Sequence, residues 1–457
     1  MTFPSDFVWG CATSAYQIEG GHDADGKGPS IWDEFCRVPG RVRGGDTGDT
    51  AADHFNCFKD DVSIMKSIGI RAYRFSISWP RIIPDGVGDI NERGLAFYDR
   101  LVDELLTAGI EPWATLFHWD LPAGVQRRGG WLNPSVVDWF ERYSQTVVAR
   151  LSDRVSHWMT FNEPQVFIGM GYSVGEHAPG LRLAMPDLIR MTHNVHLAHG
   201  RAVRVIREHA KIPARIGWAP ECKIGIPHDV ESIADAEAAV AFMAETGTDP
   251  IRSNTWWSDP VFLGTYPDDG LSRFGKWLPT GWERNLPLIQ ESLDFCGANI
   301  YLGSRVQADT EVESGHRIVS PAPGTPRSGF GWEVTPPVLF WGPKFLAERY
   351  GLPIFVTENG MASPDWVDRN GRVEDPQRVD FLARHLAELR KALDGGIPVG
   401  GYFVWSLLDN FEWAEGFHQR FGIVHIDFET LARTPKLSSA FYREAIKSNG
   451  ASIQASR

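Results

Sequence analysis

The 457-residue sequence has few of the features that mark membrane, secreted or multidomain proteins. It contains no apolar run of about 18 residues, the shortest stretch that reads as a transmembrane helix. Its first residues lack the basic and apolar regions of a secretory signal peptide. No linker rich in proline or serine and no block of like charge divides the chain. We therefore expect a cytoplasmic protein with no membrane partner, folded as one domain over residues 1–457.

Cysteine and positive charge are also scarce. The formal net charge is −13, which disfavours a nucleic-acid partner. No HExxH segment occurs, and no glycine-rich phosphate loop follows the first expected strand, so we expect neither a metal nor a cofactor. Oligomeric state cannot be read from these features. The cysteines are odd in number, form no CxxC pair and are expected to be reduced thiols: Cys11, Cys36, Cys57, Cys222 and Cys296.

One pattern recurs along the chain: a helix, a glycine, a short connection and a buried strand. The helical spacing from Phe55 to Ile68 ends at Gly69, and an apolar, β-branched segment follows at 70–78. The same order recurs at Gly109, at Gly351 and at Gly395, the last after a helix that Asp375 is expected to cap, with Pro376 in its first turn. Such repeats are typical of a parallel sheet covered by helices.

About eight strands are expected in this pattern. Eight parallel strands in an undivided chain predict an α/β fold, a single closed (β/α)8 TIM barrel with long βα loops. An open doubly wound sheet is the alternative, but it usually carries a glycine-rich loop after its first strand. The expected strands lie near 8–14, 70–78, 112–117, 156–163, 214–219, 294–301, 353–358 and 401–406.

Two short segments each place a glutamate where a strand must stop. Glu163 precedes Pro164, which has no N–H for strand pairing, and Glu358 precedes the turn signal Asn359-Gly360. A single glutamate at a strand end is usually a solvated rim residue. Two carboxylates at the carboxyl ends of barrel strands, however, are what the hydrolysis of a glycosidic bond requires. Glu163 and Glu358 are therefore the candidate catalytic pair.

The other strand ends carry amides, acids, one histidine and tryptophans. These side chains suit a ligand that has many hydroxyl groups and apolar C–H faces, since amides and acids bond hydroxyls and indole rings cover a pyranose. Trp332 is a further candidate for sugar contact, whereas Trp79 is interpreted as a core residue. The strand-end candidates are Gln17, Glu19, Arg74, His118, Trp119, Asp120, Asn162, Asn299, Tyr301, Trp405, Glu412 and Trp413.

Eight segments follow one another in a fixed order: Phe7–Glu19, Tyr73–Arg81, Phe117–Pro122, Phe161–Pro164, Asn299–Tyr301, Val356–Gly360, Asn410–Trp413 and Arg433–Lys436. In these segments the sequence resembles glycoside hydrolase family 1, the β-glucosidase family, nearly from end to end. The resemblance implies a (β/α)8 barrel and a retaining β-glycosidase. Such an enzyme releases terminal β-glucosyl, and also β-fucosyl or β-galactosyl, residues from small β-glycosides through a covalent glycosyl-enzyme.

The resemblance also implies roles for individual residues. Glu358 would be the nucleophile and Glu163 the general acid/base. Arg74 and Tyr301 would hold Glu358 and lower its pKa, while burial and the charge of Glu358 would keep Glu163 protonated. Asn299 would support this pair. The expected sugar contacts are Gln17, His118, Trp119, Asn162, Trp332, Trp405, Glu412 and Trp413.

Two other motifs in the sequence match different classes of site. Residues 171–175 match the GxSxG motif of serine hydrolases, but they follow Glu163-Pro164 in an expected loop, without the strand that the motif needs. Histidines at 193, 196 and 199 could suggest a metal site, but steps of three along a helix turn each ring away from the last. Core histidines are the preferred interpretation.

Alternatives within the barrel class remain. A non-catalytic sugar-binding relative would lack one glutamate, and a thioglucosidase would have glutamine in place of Glu163. A 6-phospho-β-glycosidase is the nearest alternative, but Glu412 and Glu415 would repel a sugar phosphate. One position departs from the family pattern, since Gln165 stands where many members have tryptophan. That position lies on the leaving-group side, so the preferred leaving group stays open.

Overall fold

The computed structural model describes residues 2–453, and in this range eight parallel strands close into a barrel. They hydrogen-bond in chain order, and β8 pairs with β1 from Val8–Gly401 to Ala12–Trp405. The predicted closed barrel is confirmed, and the open sheet is wrong. The strands are β1 (Val8–Ala12), β2 (Ala72–Ser76), β3 (Glu111–Phe117), β4 (His157–Asn162), β5 (Arg215–Ala219), β6 (Phe295–Asn299), β7 (Ile354–Asn359) and β8 (Val399–Trp405).

Helices follow the strands and cover the outside of the barrel. The long ones are His54–Ile68, Glu92–Ala108, Val136–Leu151, Met185–His209, Ile233–Ala244, Asn254–Phe262, Val338–Tyr350, Pro376–Asp394 and Leu437–Lys447. Shorter helices are Ala15–Ile18, Ile31–Cys36, Trp79–Ile82, Ala123–Arg127, Pro164–Ile168, Asp268–Phe274 and Leu286–Ile289. Outside the barrel, Ile224–Pro227, Gly303–Ala308 and His316–Val319 form one small sheet, and Val424–Ile426 pairs with Arg433–Pro435.

The glycines expected to end helices do so. Gly69, Gly109 and Gly351 have φ values of 87°, 77° and 68°, in the left-handed region that glycine adopts without a steric penalty. Asp375 precedes the helix Pro376–Asp394 as expected, but its side chain does not cap that helix. Its carboxylate instead accepts hydrogen bonds from the N–H and hydroxyl of Ser438. The helix boundary was therefore predicted correctly and the capping bond was not.

The connections at the two ends of the barrel differ greatly in length. At the amino ends of the strands, segments such as 69–71, 109–110 and 351–353 join a helix to the next strand. At the carboxyl ends, the segments 13–53, 300–337 and 406–436 separate a strand from its long helix. This confirms the expected long βα loops, and it gives the carboxyl end the chain length needed to build a cleft.

Aromatic side chains fill the barrel interior beneath that cleft. The indole ring of Trp113 lies 5.5, 5.1 and 5.0 Å from the rings of Phe295, Phe355 and Phe403. All four side chains are buried, and they belong to a cluster with Ala12, Ala72, Met159 and Ala219 from other strands. Because the interior is packed rather than hollow, the polar strand ends rest on a rigid floor.

The structure also shows where the GxSxG segment, the three helical histidines and the cysteines lie. The GxSxG segment overlaps the π-helix Gly169–Val174 and ends at the following Gly175, and the helix Pro164–Ile168 rather than a strand precedes it, so a nucleophile elbow is not formed. His193 and His196 are buried and contact the Tyr266 hydroxyl, while His199 contacts Thr160. Trp79 is buried as predicted, and all five cysteines are unpaired. Within residues 2–453, no helix is both long and apolar enough to cross a membrane.

Candidate active site

Glu163 stands at the junction between β4 and the short helix that Pro164 begins. Its N–H continues the strand pairing by donating to the carbonyl of Ala219 at 2.9 Å. Its φ is 44°, a left-handed conformation that costs a non-glycine residue roughly 1 kcal/mol. Trp119 and Trp413, which contact each other nearby, also have positive φ values of 76° and 52°. Strained backbone of this kind is concentrated at functional sites, where the surrounding fold holds it in place.

Glu358 is the penultimate residue of β7. Arg74 on β2 donates a hydrogen bond from Nη1 to Oε1 at 2.6 Å, and the Tyr301 hydroxyl donates to Oε2 at 2.6 Å. The strand ends at Asn359, and at the next residue, Gly360, a Cβ would lie 1.6 Å from the carbonyl oxygen of Trp405. Only glycine fits between β7 and β8 at this point, so the Asn359-Gly360 signal marks a close approach of two strands as well as a turn.

One hydrogen-bonded path joins the two carboxyl groups. The second guanidinium nitrogen of Arg74 donates to Oδ1 of Asn162. The amide of Asn299 donates both to that oxygen, at 2.9 Å, and to Oε1 of Glu163, at 2.8 Å. The hydroxyl of Thr357 donates a hydrogen bond to the amide oxygen Oδ1 of Asn299 at 2.7 Å. Glu358 is thus held by a cation and a phenol, whereas Glu163 is held by one neutral amide.

This difference decides which carboxyl group carries the proton. Burial raises the pKa of Glu163 well above its ordinary range, and the negative charges of Glu358 and Glu221 raise it further. Burial also raises the pKa of Glu358, but Arg74 and Tyr301 act against it. The expected lowering of the pKa of Glu358 is therefore wrong in its net direction, because desolvation outweighs both partners. Arg74 and Tyr301 favour the ionised form of Glu358, and no such pair of donors contacts Glu163 among the described residues.

Five side chains from the ends of β1, β3 and β8 and the segments after them form what we call the β8 wall: Gln17, His118, Trp405, Glu412 and Trp413. Gln17 donates from Nε2 to Oε2 of Glu412 at 3.3 Å and to Oδ1 of Asn410 at 3.1 Å. The amide of Asn162 contacts Nε2 of His118 at 3.1 Å. Burial, followed by the charge of Glu358, raises the pKa of Glu412 to about 8. The β8 wall is a bonded set of amide, imidazole and carboxyl groups.

The cleft above these residues has a volume of about 660 Å³, within the usual range for small-molecule sites. Trp119 packs against Trp413 with 4.5 Å between ring centroids and 31° between ring planes, and the His118 ring centroid lies 5.8 Å from that of Trp405. Trp332 lies 5.6 Å from Tyr301 and lines the cleft from the β6 loop. The cleft therefore has apolar ring faces together with groups that bond hydroxyls.

The structure brings most of the predicted site residues to this cleft. Gln17, Arg74 and Asn162 lie behind its surface and bond to the residues that line it. Glu19 lies elsewhere, since Arg81 donates to it at 2.9 Å and Tyr98 at 2.6 Å. The predicted site residues that line the cleft are His118, Trp119, Glu163, Asn299, Tyr301, Trp332, Glu358, Trp405, Glu412 and Trp413.

On the side of the cleft beyond β5, sequence reasoning named only Gln165. We call Gln165, Glu221, Lys223 and Arg252 the β5 wall, and all four line the cleft. Every barrel strand except β5 had a strand-end residue assigned to the site. Glu221 lies two residues beyond β5 and directly after Pro220. That position was the one signal in the sequence that could have identified it as a cleft residue. No set of three or more His, Cys, Asp or Glu within residues 2–453 is arranged to hold a metal ion.

Comparison with known proteins places this geometry in context. The family model described as "Glycosyl hydrolase family 1" matches residues 1–451 of this chain. A beta-glucosidase A from Thermotoga maritima is 43% identical over 455 residues, covering 98% of both chains. A 1,4-beta-D-glucan glucohydrolase from Thermotoga neapolitana is 42% identical over 458 residues, covering 98% of this chain and 99% of the relative.

Solved structures agree with the sequence comparison. A family 1 b-glucosidase from Thermotoga maritima superimposes with a TM-score of 0.89 at 42% identity, covering 98% of this chain and 99% of that one. The Thermotoga protein has also been solved in complex with glucoimidazole and with deoxynojirimycin.

Proposed function

The chain belongs to glycosyl hydrolase family 1, and on that premise we propose that it is a retaining β-glucosidase. It removes terminal β-D-glucosyl residues from cello-oligosaccharides, such as those formed in cellulose breakdown, and from aryl or alkyl β-glucosides. One observation carries the proposal: two buried carboxyl groups at the ends of β4 and β7, one held by a cation and the other by an amide. β-Fucosides and β-galactosides are included, since the β8 wall can bond hydroxyls of each sugar.

In the first step an oxygen of Glu358 attacks the anomeric carbon while the bond to the leaving oxygen breaks. Glu163 gives its proton to that oxygen. Arg74 and Tyr301 keep the attacking carboxylate ionised and oriented, and the raised pKa of Glu163 keeps a proton available. A retaining enzyme needs the two carboxyl groups about 5–5.5 Å apart, and we propose that separation here.

In the second step water attacks the glycosyl-enzyme. Esterification removes the negative charge of Glu358, which is the second-largest cause of the raised pKa of Glu163. The pKa of Glu163 therefore falls, and the carboxylate takes a proton from water as the bond to Glu358 breaks. The same side chain thus acts first as acid and then as base. The β8 wall supports both steps by bonding the hydroxyls of the sugar ring.

Three measurements test this function: which substrates are hydrolysed, which anomer of glucose is released first, and which residue becomes labelled. The protein should hydrolyse 4-nitrophenyl β-glucoside and cellobiose, and proton NMR should show the β-anomer of glucose as the first product. A 2-deoxy-2-fluoro-β-glucosyl donor should leave a fluoroglucosyl group on the peptide that contains Glu358, detected by mass spectrometry. First release of the α-anomer, or a label elsewhere, would refute the proposal.

A 6-phospho-β-glycosidase is less well supported. The charge argument against it is weaker than expected, because Glu412 has a pKa of about 8 and Arg43 pairs with Glu415 at 3.0 Å. Among the described residues that line the cleft, however, lysine and arginine occur only in the β5 wall, as Lys223 and Arg252. The β8 wall, which would hold the ring hydroxyls, offers no cation to a phosphate.

We also propose that residues 1–457 form one catalytic domain, since the first and last barrel strands pair with each other. A cytoplasmic location is part of the same proposal. It rests on the five unpaired cysteines, which suit a reducing compartment.

A further inference from the structure

Asn359, identified from the sequence only as part of a turn signal, is the last residue of β7 and is fully buried. Its amide joins the two neighbouring strands. Nδ2 donates to the carbonyl of Ile300, just beyond β6, at 2.7 Å, and Oδ1 accepts from the hydroxyl of Tyr402 on β8 at 2.9 Å. Neither Asn359 nor Tyr402 is among the described residues that line the cleft. Any effect of the two on the reaction must therefore pass through other side chains.

The bond to Ile300 replaces strand pairing at the point where β6 and β7 separate. The N–H of Ile300 still donates to the carbonyl of Glu358 at 2.9 Å, as in a parallel ladder. Within residues 2–453, no backbone N–H donates to the carbonyl of Ile300 in return. The side chain of Asn359 supplies that donor. Both backbone groups of Ile300 are thus held against β7, and one of them depends on a side chain that a substitution can remove.

Ile300 lies between two residues that each donate to one of the proposed catalytic carboxyl groups. We call residues 299–301 the donor segment. Asn299 donates to Oε1 of Glu163 at 2.8 Å, and Tyr301 donates to Oε2 of Glu358 at 2.6 Å. Because consecutive Cα atoms stay about 3.8 Å apart, a displacement of Ile300 moves both neighbours. The strength of both bonds therefore depends on where Ile300 is held.

Tyr402 holds Asn359 from the side of β8. Its ring is fully buried, and its hydroxyl also lies 3.3 Å from the backbone carbonyl oxygen of Asn359. An amide has an acceptor end and a donor end. Because the hydroxyl donates to Oδ1, the nitrogen of the Asn359 amide is directed at Ile300. One hydrogen-bonded path thus runs from Tyr402 through Asn359 to the donor segment.

Resting on the function proposed above, we propose that Asn359 is a positioning residue that holds the donor segment in place. Through this segment it keeps Asn299 bonded to Glu163 and Tyr301 bonded to Glu358. Tyr402 is a positioning residue that acts through Asn359. Neither side chain touches the substrate.

The test begins with Asn359→Ala, which removes the donor to Ile300. With 2,4-dinitrophenyl β-glucoside, whose leaving group needs no proton, pre-steady-state release of dinitrophenol reports attack by Glu358 alone, and its rate should fall about tenfold. With cellobiose, which also needs the proton of Glu163, kcat/KM should fall about thirtyfold. The acidic limb of the pH profile should move to higher pH, because a weaker bond from Tyr301 favours the ionised form of Glu358 less.

A double-mutant cycle with Tyr301→Phe then shows which side chain Asn359 acts through. Once the Tyr301 hydroxyl is absent, Asn359→Ala should cost less than about twofold in the release of dinitrophenol. Tyr402→Phe keeps the buried ring and should cost about threefold alone. Combined with Tyr301→Phe, it should cost nothing further. Tyr402→Phe provides the same test if Asn359→Ala does not fold, which thermal unfolding decides.

Asn194→Ala is the matched control. The Asn194 amide is also buried and donates to a backbone carbonyl, that of Trp131, at 2.8 Å. Neither of these residues is among the described residues of the cleft lining. Both Asn359→Ala and Asn194→Ala should lower the Tm, since each leaves a buried carbonyl without its donor. Asn194→Ala should leave the two rates and the acidic limb unchanged.

The outcomes separate the two proposals. If wild type hydrolyses no β-glucoside, the proposed function is refuted. If wild type is active and the losses from Asn359→Ala and Tyr301→Phe multiply, Asn359 does not act through Tyr301 and the inference is overturned. Wild-type rates in a folded Asn359→Ala variant would overturn it as well.

Discussion

The two walls of the cleft differ in how far their side chains are buried and hydrogen-bonded to one another. In the β8 wall, Gln17, Glu412 and His118 bond to each other or to Asn162, and Trp405 and Trp413 are nearly fully buried. In the β5 wall, no side chain or N–H within residues 2–453 donates a hydrogen bond to the Glu221 carboxylate, and Arg252 is exposed. A bonded, buried wall is preorganised for one ring and its transition state. A sparsely bonded wall can accept different leaving groups. Changes near Glu358 should therefore affect all substrates, and changes towards the leaving group only some.

Replacing the proposed nucleophile should give the largest loss. Glu358→Ala is expected to lower kcat on the order of 10⁵-fold for every β-glucoside, because no covalent intermediate can form. Azide should restore part of the activity and give the α-glucosyl azide. Nitrophenol release, with NMR of the azide product, is the measurement.

Thermal unfolding must show that Glu358→Ala is folded, since the variant leaves Arg74 buried without its carboxylate. Wild-type rates in a folded variant would remove Glu358 from the mechanism.

Glu163→Gln should separate substrates by leaving group. Loss of the general acid should cost about 10²–10⁴-fold for cellobiose or methyl β-glucoside. With 2,4-dinitrophenol, which leaves without a proton, formation of the intermediate should change little. Pre-steady-state release of dinitrophenol measures that step. Losses of the same size for both kinds of substrate would contradict the acid role.

Tyr301→Phe removes one of the two donors to Glu358 and keeps the ring beside Trp332. A hydrogen bond to a charged group contributes about 1.5–3 kcal/mol, so kcat/KM should fall about tenfold to a hundredfold. The loss should be the same for aryl glucosides and cellobiose, because the bond serves the nucleophile. A loss confined to one substrate class would place Tyr301 in leaving-group recognition instead.

The pH dependence follows from the two carboxyl groups. Glu358 must be ionised, so kcat/KM should rise with pH through its pKa. Glu163 must be protonated, so kcat/KM should fall about tenfold per pH unit above its higher pKa. In Glu163→Gln, measured with 2,4-dinitrophenyl β-glucoside, the alkaline fall should disappear. If it persists unchanged, another group titrates there.

The smallest effect is expected at the mouth of the cleft. Trp332→Leu removes a ring that stacks on Phe330 with 4.7 Å between centroids. The loss of aromatic contact should raise KM for cellobiose about two- to tenfold and leave kcat nearly unchanged. Trp277→Leu, a partly buried tryptophan outside the cleft lining, is the control. A large fall in kcat for Trp332→Leu would show that the ring acts on the transition state.

Much of the fold could be predicted because its signals are local. Helix periodicity ending at Gly69 or Gly351, followed at once by β-branched residues, needs no distant partner to be read. The same holds for Glu163 before Pro164 and for Glu358 before Asn359-Gly360, since each marks a strand end. The bonds of Asp375 could not be predicted, because Ser438 is remote in sequence.

The sequence by itself determined eight strands and the two glutamates at the ends of β4 and β7. Tertiary structure alone decided that burial raises the pKa of Glu358 as well as that of Glu163, and that Glu221 lies in the cleft. The physical reason is the range of the forces involved. Backbone conformation responds to adjacent residues, whereas desolvation and charge sum over side chains that only the closed barrel brings together.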